Sequence, residues 1–305
     1  MSTVFIVPPV GRAIAVACAE RLIPCSLELG GKDAAIVLED CNLERAAQGV
    51  VWGAFTNAGQ NCAAIERVYV HQAIAKKFTD RVVAITLGLA ASDTAMMTTA
   101  AQCDKVRAHL SAAVEAGAEV LTGGEPEEGS LAFAPTVITI DEGSASSAAM
   151  TEETFGPLLP IQVVANEDEA VRLCNDSRYA LTTSVWTKRM RRGRDIAKRL
   201  VSGVVTINNH AFTAALPAAP WTGTGETGYG ITNSPHCLSS LTRVRFVLED
   251  RSGAARELWW YPYTPVLRTI AFAMAKVRGG AGFFGRLAAL VQLVPAIVKR
   301  LLFGG

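Results

Sequence analysis

Short strand-like runs alternate with helix-like segments along most of this 305-residue chain. Runs such as AAIVLE, ERVYVH and GVVTIN are rich in β-branched residues and are typical of buried strands. Between them lie amphipathic segments such as NLERAAQGVVWGAFTNAG, in which Asn42 is suited to cap the helix N-terminus. This alternation predicts an α/β fold with a mainly parallel open sheet and flanking helices.

The composition narrows the class of protein. Half of the residues are apolar, which suffices for a substantial core, and a net charge of +1 gives no overall attraction to nucleic acid. Seven cysteines without a CxxC pair argue against a disulfide framework and a zinc site. No apolar run reaches the roughly 18 residues of a membrane span. The sequence therefore predicts a cytoplasmic protein with no metal site and no nucleic-acid partner.

Two residues have surroundings that suit catalysis. Cys62 lies between a helix and a strand in NAGQNCAAIERVYV, where small neighbours would let a substrate approach. Such a thiol is either a nucleophile of lowered pKa or a small buried side chain. Glu28 stands in the apolar stretch SLELGG, where burial would raise its pKa toward that of a general base. The alternative for Glu28 is a carboxylate in water at a sheet edge.

These two residues lie in motifs that resemble those of the aldehyde dehydrogenase superfamily. LELGGK contains Glu28 and GQNC contains Cys62, and their separation of 34 residues is the one usual in that family. EETFGP, ANEDEAVRLCNDSRYAL, GVVTIN and PWTGTGETGYG follow in the family's order. The resemblance covers residues 10–247 and implies an NAD- or NADP-dependent oxidation of an aldehyde to a carboxylic acid.

By this resemblance, Cys62 attacks the aldehyde carbonyl and Glu28 activates the water that hydrolyses the resulting thioester. The Cys62 backbone N–H is expected among the donors that hold the oxyanion. Asn208, Phe212 and Trp221 are candidates for the substrate channel, with plain packing as the alternative for the two aromatic residues.

The resemblance also implies a surface for the nicotinamide end of the cofactor. Glu153 would accept hydrogen bonds from the ribose, and Phe155 would pack beside it. Leu29 and Gly30 are expected on the same surface, where a glycine lets the backbone approach closely. The choice between NAD and NADP is left open.

The segment before the first motif departs from the family pattern. Only 27 residues precede Glu28, whereas family members have most of the cofactor domain there. Ile6 and Val7 occupy the positions of a Gly-Ser turn that faces the pyrophosphate, and bulky β-branched side chains cannot copy that turn. We therefore expect a chain truncated upstream, with impaired activity on its own, or else one half of a split enzyme.

The motifs predict four regions. They are a remnant of the dinucleotide-binding domain (1–27), a catalytic domain (28–225), a bridging strand region used in oligomerisation (226–250), and an aromatic and apolar helical tail (251–305). For the tail, three alternatives stay open. Residues 265–305 could contact a membrane surface, pack as a helix pair on the domain or a partner subunit, or remain disordered. The apolar tail also suggests a lipophilic aldehyde.

Two other functions remain open at this stage. The pair formed by Cys62 and Glu28 could hydrolyse activated esters through an acyl-enzyme without nicotinamide. Alternatively, the chain could be a non-enzymatic subunit that pairs with full-length relatives through the predicted strand LTRVRFVLED, by addition of a strand to an edge. A homo-oligomer is expected on the same grounds.

Overall fold

The computed structural model describes residues 2–5, 8–124, 129–210, 213–251, 253, 257–279 and 282–303. The chain divides into two compact units, Met1–Arg243 and Val244–Gly305. The boundaries predicted at residues 27, 225 and 250 remain predictions.

Twelve strands and ten helices are assigned within the described residues. The strands are β1 Ser2–Phe5, β2 Cys25–Glu28, β3 Asp33–Val37, β4 Ile65–His71, β5 Glu119–Thr122, β6 Thr136–Ile140, β7 Leu158–Val164, β8 Tyr179–Ala180, β9 Thr182–Trp186, β10 Val204–Ile207, β11 Thr224–Gly225 and β12 Gly228–Tyr229. The helices are α1 Pro8–Glu20, α2 Leu43–Phe55, α3 Ala75–Leu87, α4 Ala100–Glu115, α5 Ala148–Thr151, α6 Glu167–Asn175, α7 Met190–Ala197, α8 Ser234–Leu241, α9 Pro265–Arg278 and α10 Phe283–Phe303.

The first unit is built on a seven-stranded sheet. Its order is β10-β9-β3-β4-β7-β6-β5, and every neighbouring pair is parallel except β5 and β6. In β3, Ala34 and Ile36 belong to one buried cluster, whereas Ala35 and Val37 belong to another. Because alternate residues of a strand face opposite sides, both faces of the sheet are covered. The predicted α/β fold is confirmed.

A second, smaller sheet carries the first motif. Strand β2 lies between β1, which is parallel to it, and β12, which is antiparallel. Glu28 ends β2 opposite Gly228, and the following turn leads into β3 of the large sheet. The turn between the two sheets therefore carries Glu28 at its start.

Helix α2 begins as predicted. The Asn42 side chain accepts a hydrogen bond from the Arg45 N–H at 3.3 Å, which satisfies one of the free donors at the helix N-terminus. The helix buries its small and branched residues against the sheet, among them Ala46, Val50 and Ala54. It ends at Phe55, just before the loop that contains the second motif.

The predicted strand at 241–250 is absent. Leu241 ends α8, and residues 243–251 have neither helix nor strand. A strand is defined by its ladder of hydrogen bonds, and the described residues of this chain offer no neighbouring strand to this segment. Its apolar side chains are exposed, Val244 and Phe246 among them.

The second unit contains a pair of helices. Helices α9 and α10 pack on each other through Leu267, Ile270 and Ala273 of α9 and Ala289 of α10, all of which are buried. No helix in the described part of the chain combines the length and apolar character needed to cross a bilayer.

Candidate active site

Glu28 is buried at the end of β2. Its side chain is 8 % exposed, and burial raises the pKa of its carboxyl. The nearby N–H groups of the Trp221 indole and of the Gly30 backbone oppose that rise. Its Oε1 atom is buried and has no hydrogen-bond partner among the described residues. The alternative of a carboxylate in water at a sheet edge is therefore wrong.

Cys62 lies in a turn between a one-turn 3₁₀ helix, Thr56–Gly59, and β4. Asn57, Ala58 and Gly59 all have positive φ angles, of 55°, 54° and 68°. This left-handed stretch reverses the chain and presents the turn that follows. The half-buried Cys62 thiol points to the Asn61 side-chain oxygen at 3.7 Å, and the same oxygen accepts a hydrogen bond from the Ala63 N–H at 3.0 Å.

The structure brings Cys62 and Glu28 into one environment. Cys62 packs against a buried cluster of Ala63, Leu181 and Trp221. The Trp221 indole also lies beside the Glu28 carboxyl. Burial first, and then the negative charge of Glu28, raise the pKa of the Cys62 thiol to about 12. The expectation of a lowered thiol pKa is wrong, because burial disfavours the thiolate and the nearby charges of Glu28, Asp33 and Glu153 add to that effect.

Glu153 reaches the first motif from the EETFGP loop. Its Oε1 atom accepts a hydrogen bond from the Gly31 N–H at 3.0 Å. Gly30 has φ +103°, and a Cβ atom there would lie 2.3 Å from the same oxygen. Burial, and then the charge of Glu66, raise the pKa of Glu153 to about 7. Glycine at position 30 is thus favoured by its conformation, and a Cβ there would push the Glu153 carboxyl away from its hydrogen bond to Gly31.

A buried ion pair holds these loops together. Lys32 Nζ lies 2.7 Å from Glu66 Oε2 and 3.0 Å from the Thr154 hydroxyl. Glu66 also accepts the backbone N–H groups of Thr154 and Phe155, each at 2.7 Å. Phe155 has φ +53°, a conformation that non-glycine residues rarely adopt. The Glu66 carboxylate therefore fixes the strained loop that carries Glu153 and Phe155.

The loops of the second and third motifs also touch directly. A Cβ atom at Gly59 would lie 2.3 Å from the Gly156 carbonyl oxygen. The Gln60 side chain spans the loop, because its amide donates to the Asn57 and Met96 carbonyls and accepts the Thr98 N–H at 2.8 Å. The three motifs predicted from the sequence thus form one cluster around Cys62 and Glu28.

Other predicted site residues have different surroundings. The Asn208 side-chain oxygen accepts a hydrogen bond from the Thr187 N–H at 2.9 Å, and its amide nitrogen donates one to the Thr187 carbonyl at 2.7 Å. These two hydrogen bonds link the ends of β9 and β10. Trp221 is buried beside Glu28. Phe212, Ile6 and Val7 lie outside the described residues. The channel role of Asn208, Phe212 and Trp221 remains a prediction.

Leu29 lies on the other side of the first motif. It is buried, it contacts α1 at Gly11, and it lines a cavity of about 440 Å³ with Arg12, Arg178 and Tyr229. Its expected contact with the cofactor remains a prediction.

Sequence reasoning missed Lys32 and Glu66 as site residues. Lys32 and Glu66 are 34 residues apart, as are Glu28 and Cys62, and each follows its partner motif residue by four positions. The sequence feature that could have identified Lys32 and Glu66 is this second pair of chemically complementary residues with the same 34-residue spacing. It points to contact because β3 and β4, which begin at Asp33 and Ile65, are paired.

Comparison with known sequences identifies the family. A sequence model of the Aldehyde dehydrogenase family matches residues 8–247. The chain belongs to this family. The matched range agrees closely with residues 10–247, over which the motifs resemble the family, so the resemblance is confirmed.

Relatives within the family carry different names. A Mycobacterium ulcerans protein, provisionally named an NADP(+) succinate-semialdehyde dehydrogenase, is 36% identical over 277 residues, which is 85% of this chain and 53% of that protein. A 4,4'-diapolycopene aldehyde oxidase of Methylomonas is 33% identical over 262 residues, 83% of this chain and 48% of the relative. The chain therefore spans about half the length of these relatives.

Solved structures share the fold. An aldehyde dehydrogenase of Bacillus cereus in complex with NAD+ superposes with a TM-score of 0.75 at 29% identity. The match covers 80% of this chain and 50% of the other.

Proposed function

We propose that the chain takes part in the oxidation of an aldehyde to a carboxylic acid with NAD or NADP, through a thioester on Cys62. The observation that carries the proposal is the shared environment of the Cys62 thiol and the buried Glu28 carboxyl, joined by Trp221. The names of the relatives range from a short acidic aldehyde to a long polyene, so the proposal covers aldehydes as a class.

The first chemical task is to remove the thiol proton. With a pKa of about 12, Cys62 is protonated near neutral pH, so attack on a carbonyl requires a nearby acceptor. Glu28 supplies one, because its raised pKa makes it a stronger base than an exposed glutamate. The resulting oxyanion would lie near the Cys62 backbone N–H, which has no acceptor among the described residues.

The residues present fit the nicotinamide end of the cofactor. Gly30 has no side chain and lies directly against the Glu153 carboxyl, and the Glu66 carboxylate fixes the loop of Glu153 and Phe155. Leu29, Gly30, Glu153 and Phe155 would hold that end. When bound, the nicotinamide supplies the hydride acceptor that converts the Cys62 adduct into a thioester.

Hydrolysis of the thioester requires an activated water. The unpartnered, buried Oε1 atom of Glu28 supports this role, because a buried carboxylate oxygen without a hydrogen bond is costly and a water molecule would satisfy it. The Trp221 indole lies beside the carboxyl and would keep it oriented toward the sulfur. Trp221 is therefore proposed as a positioning residue for Glu28.

An esterase without nicotinamide would use the same two residues. The oxidoreductase is favoured because Glu153, Phe155 and the narrow Gly30 turn form a second fixed surface beside Glu28, which ester hydrolysis does not require.

Partners beyond the aldehyde are also proposed. The exposed apolar residues Val244, Phe246 and Val247 support pairing of this segment with another chain, either a second copy or a longer relative, as an added strand. A cytoplasmic location is proposed, with peripheral contact between residues 265–305 and a membrane surface.

The function is tested by following the absorbance of reduced nicotinamide with NAD or NADP and a series of aldehydes. The proposal expects turnover that Cys62→Ala abolishes. Ester hydrolysis lost in Cys62→Ala, without any reduction of nicotinamide, would favour the esterase. Neither activity, with Cys62 still intact by mass spectrometry, would contradict both.

A further inference from the structure

Helix α10 has two apolar sides. One side packs against α9 and contains the buried Ala289 and the partly buried Leu293 and Ile297. The other side, which we call the outward face, is exposed. It consists of Phe283, Phe284, Leu287, Leu290, Val291, Val294, Val298, Leu301 and Leu302.

The outward face is a continuous apolar stripe. At 3.6 residues per turn its nine members fall within about 120° of the helix circumference, and no polar residue falls inside that arc. The packed side begins about 20° beyond one edge of the stripe, at Ile297, and continues round to Ala289. Arg286 and Lys299 flank the two edges of the stripe, one on each side. Amphipathic helices at a membrane interface have this arrangement, with an apolar face bordered by basic residues.

The segment that contains the helix pair has charge of one sign. Between residues 258 and 305 there are six basic residues and no acidic side chain: Arg268, Lys276, Arg278, Arg286, Lys299 and Arg300. An anionic surface complements this charge. A second copy would instead bring like charges together at the edges of the stripe.

Aromatic residues are fixed beside the end of α10. The buried Arg300 side chain donates to the carbonyls of Trp260 and Pro262, at 2.8 and 3.0 Å. The neighbouring Trp259 and Tyr261 side chains are exposed. Tryptophan and tyrosine favour the boundary between lipid tails and head groups, because each has an apolar body and a polar edge.

We propose that the outward face of α10 binds in the interfacial layer of an anionic phospholipid bilayer, with Arg286 and Lys299 against the phosphates. The inference rests on the membrane contact of the proposed function and names its lipid class and its binding face. It does not depend on the aldehyde chemistry.

The experiment is sedimentation of the full chain with vesicles of phosphatidylcholine, with and without phosphatidylglycerol, at low and high salt. We expect binding at least about tenfold stronger to the anionic vesicles, and weaker binding as salt screens the charges. Exclusive binding to neutral vesicles, or no vesicle binding at all, would overturn the proposal and leave the aldehyde chemistry untouched.

Variants separate the contributions. V291Q with V294Q removes apolar area from the outward face without adding charge, and R286E with K299E reverses its flanks. V291Q with V294Q should weaken binding by about tenfold or more, because apolar area is lost from the lipid tails. R286E with K299E should have an effect of similar size, because attraction to the phosphates becomes repulsion. T269Q, a neutral change at an exposed position on α9, is the matched control and should change binding less than twofold. Circular dichroism checks that every variant keeps its helices.

A second-copy interface is the competing outcome. It predicts a concentration-dependent dimer in solution that V291Q with V294Q dissociates, together with no vesicle binding. That result would overturn the lipid proposal. Equal vesicle binding by V291Q with V294Q and by T269Q would overturn it as well.

Discussion

Lys32 and Glu66 form a fully buried ion pair, with Nζ and Oε2 2.7 Å apart, and the same carboxylate accepts two backbone N–H groups of the EETFGP loop. The pair thus joins the turn after Glu28, the strand after Cys62 and the loop of Glu153. It supports the site without touching the sulfur.

Removing the charge of Glu66 should destabilise the fold strongly. Glu66→Gln leaves Lys32 buried without its counterion, and breaking a buried pair costs about 3–5 kcal/mol. Glu44→Gln is the matched control, because Glu44 pairs with Arg81 at the surface and such a pair contributes about 1 kcal/mol or less. Urea denaturation measures both free energies of unfolding. Equal losses would contradict the role of Glu66.

Gly30 should be intolerant of a side chain. In Gly30→Ala the new Cβ would meet Glu153 Oε1 at 2.3 Å, in addition to the strain of φ +103°. Gly124→Ala has the same kind of strain, with φ +122°, but nothing within 4 Å. We expect Gly30→Ala to lower the free energy of unfolding by at least about 1 kcal/mol more than Gly124→Ala. Thermal denaturation of both variants tests the difference.

The stability should depend on the protonation of Glu153. Its pKa rises from 4.5 to about 7 on folding, so the folded state binds this proton more tightly than the unfolded chain. The contribution of the Glu153 proton to the free energy of unfolding is fully present below about pH 4.5, and it is lost as the pH rises through 7. Glu153→Gln should remove this loss, so its stability relative to the wild type increases between pH 5 and 8 by up to about 3 kcal/mol. Parallel pH profiles would exclude the predicted linkage.

The reactivity of Cys62 should depend on the charge of the nearby Glu28 carboxylate. With a pKa of about 12, its alkylation by iodoacetamide should accelerate with pH up to 10 without a plateau. Glu28→Gln removes a negative charge that raises that pKa, so Cys62 should be labelled several-fold faster at pH 9. Mass spectrometry of the Cys62 peptide measures the rate. An unchanged rate in Glu28→Gln would show that the two groups do not interact, and a slower rate would show that even at pH 9 Glu28 acts chiefly as the acceptor of the thiol proton.

Local signals in the sequence predicted most of the large sheet. The three β-branched runs became β3, β4 and β10, and Asn42 caps α2 as expected, because these features depend on neighbours close in sequence. The segment 241–250 has the same apolar texture and forms no strand in this chain. A strand needs a neighbour, and local sequence does not report whether one is present.

The candidate site was predicted only in part. Cys62 and Glu28 were found through their motifs, and the structure places them beside Trp221. The raised pKa of Cys62 was not foreseen, because it arises first from burial and then from the charges of Glu28, Asp33 and Glu153, which only the folded chain brings close to the sulfur. Glu66 was missed for a similar reason, since its role depends on backbone groups 88 and 89 residues away.

Acylation of Cys62 tests the central claim most directly. The full chain is mixed with 4-nitrophenyl acetate, and the acetyl group on Cys62 is followed by mass spectrometry, which requires no nicotinamide. Near neutral pH we predict that the acetyl group turns over in the wild type, that it forms more slowly but persists longer on Cys62 in Glu28→Gln, and that it is absent from that position in Cys62→Ala. Equal lifetimes of the acetyl group in the wild type and Glu28→Gln, or no acetylation of Cys62 in the wild type, would contradict this prediction.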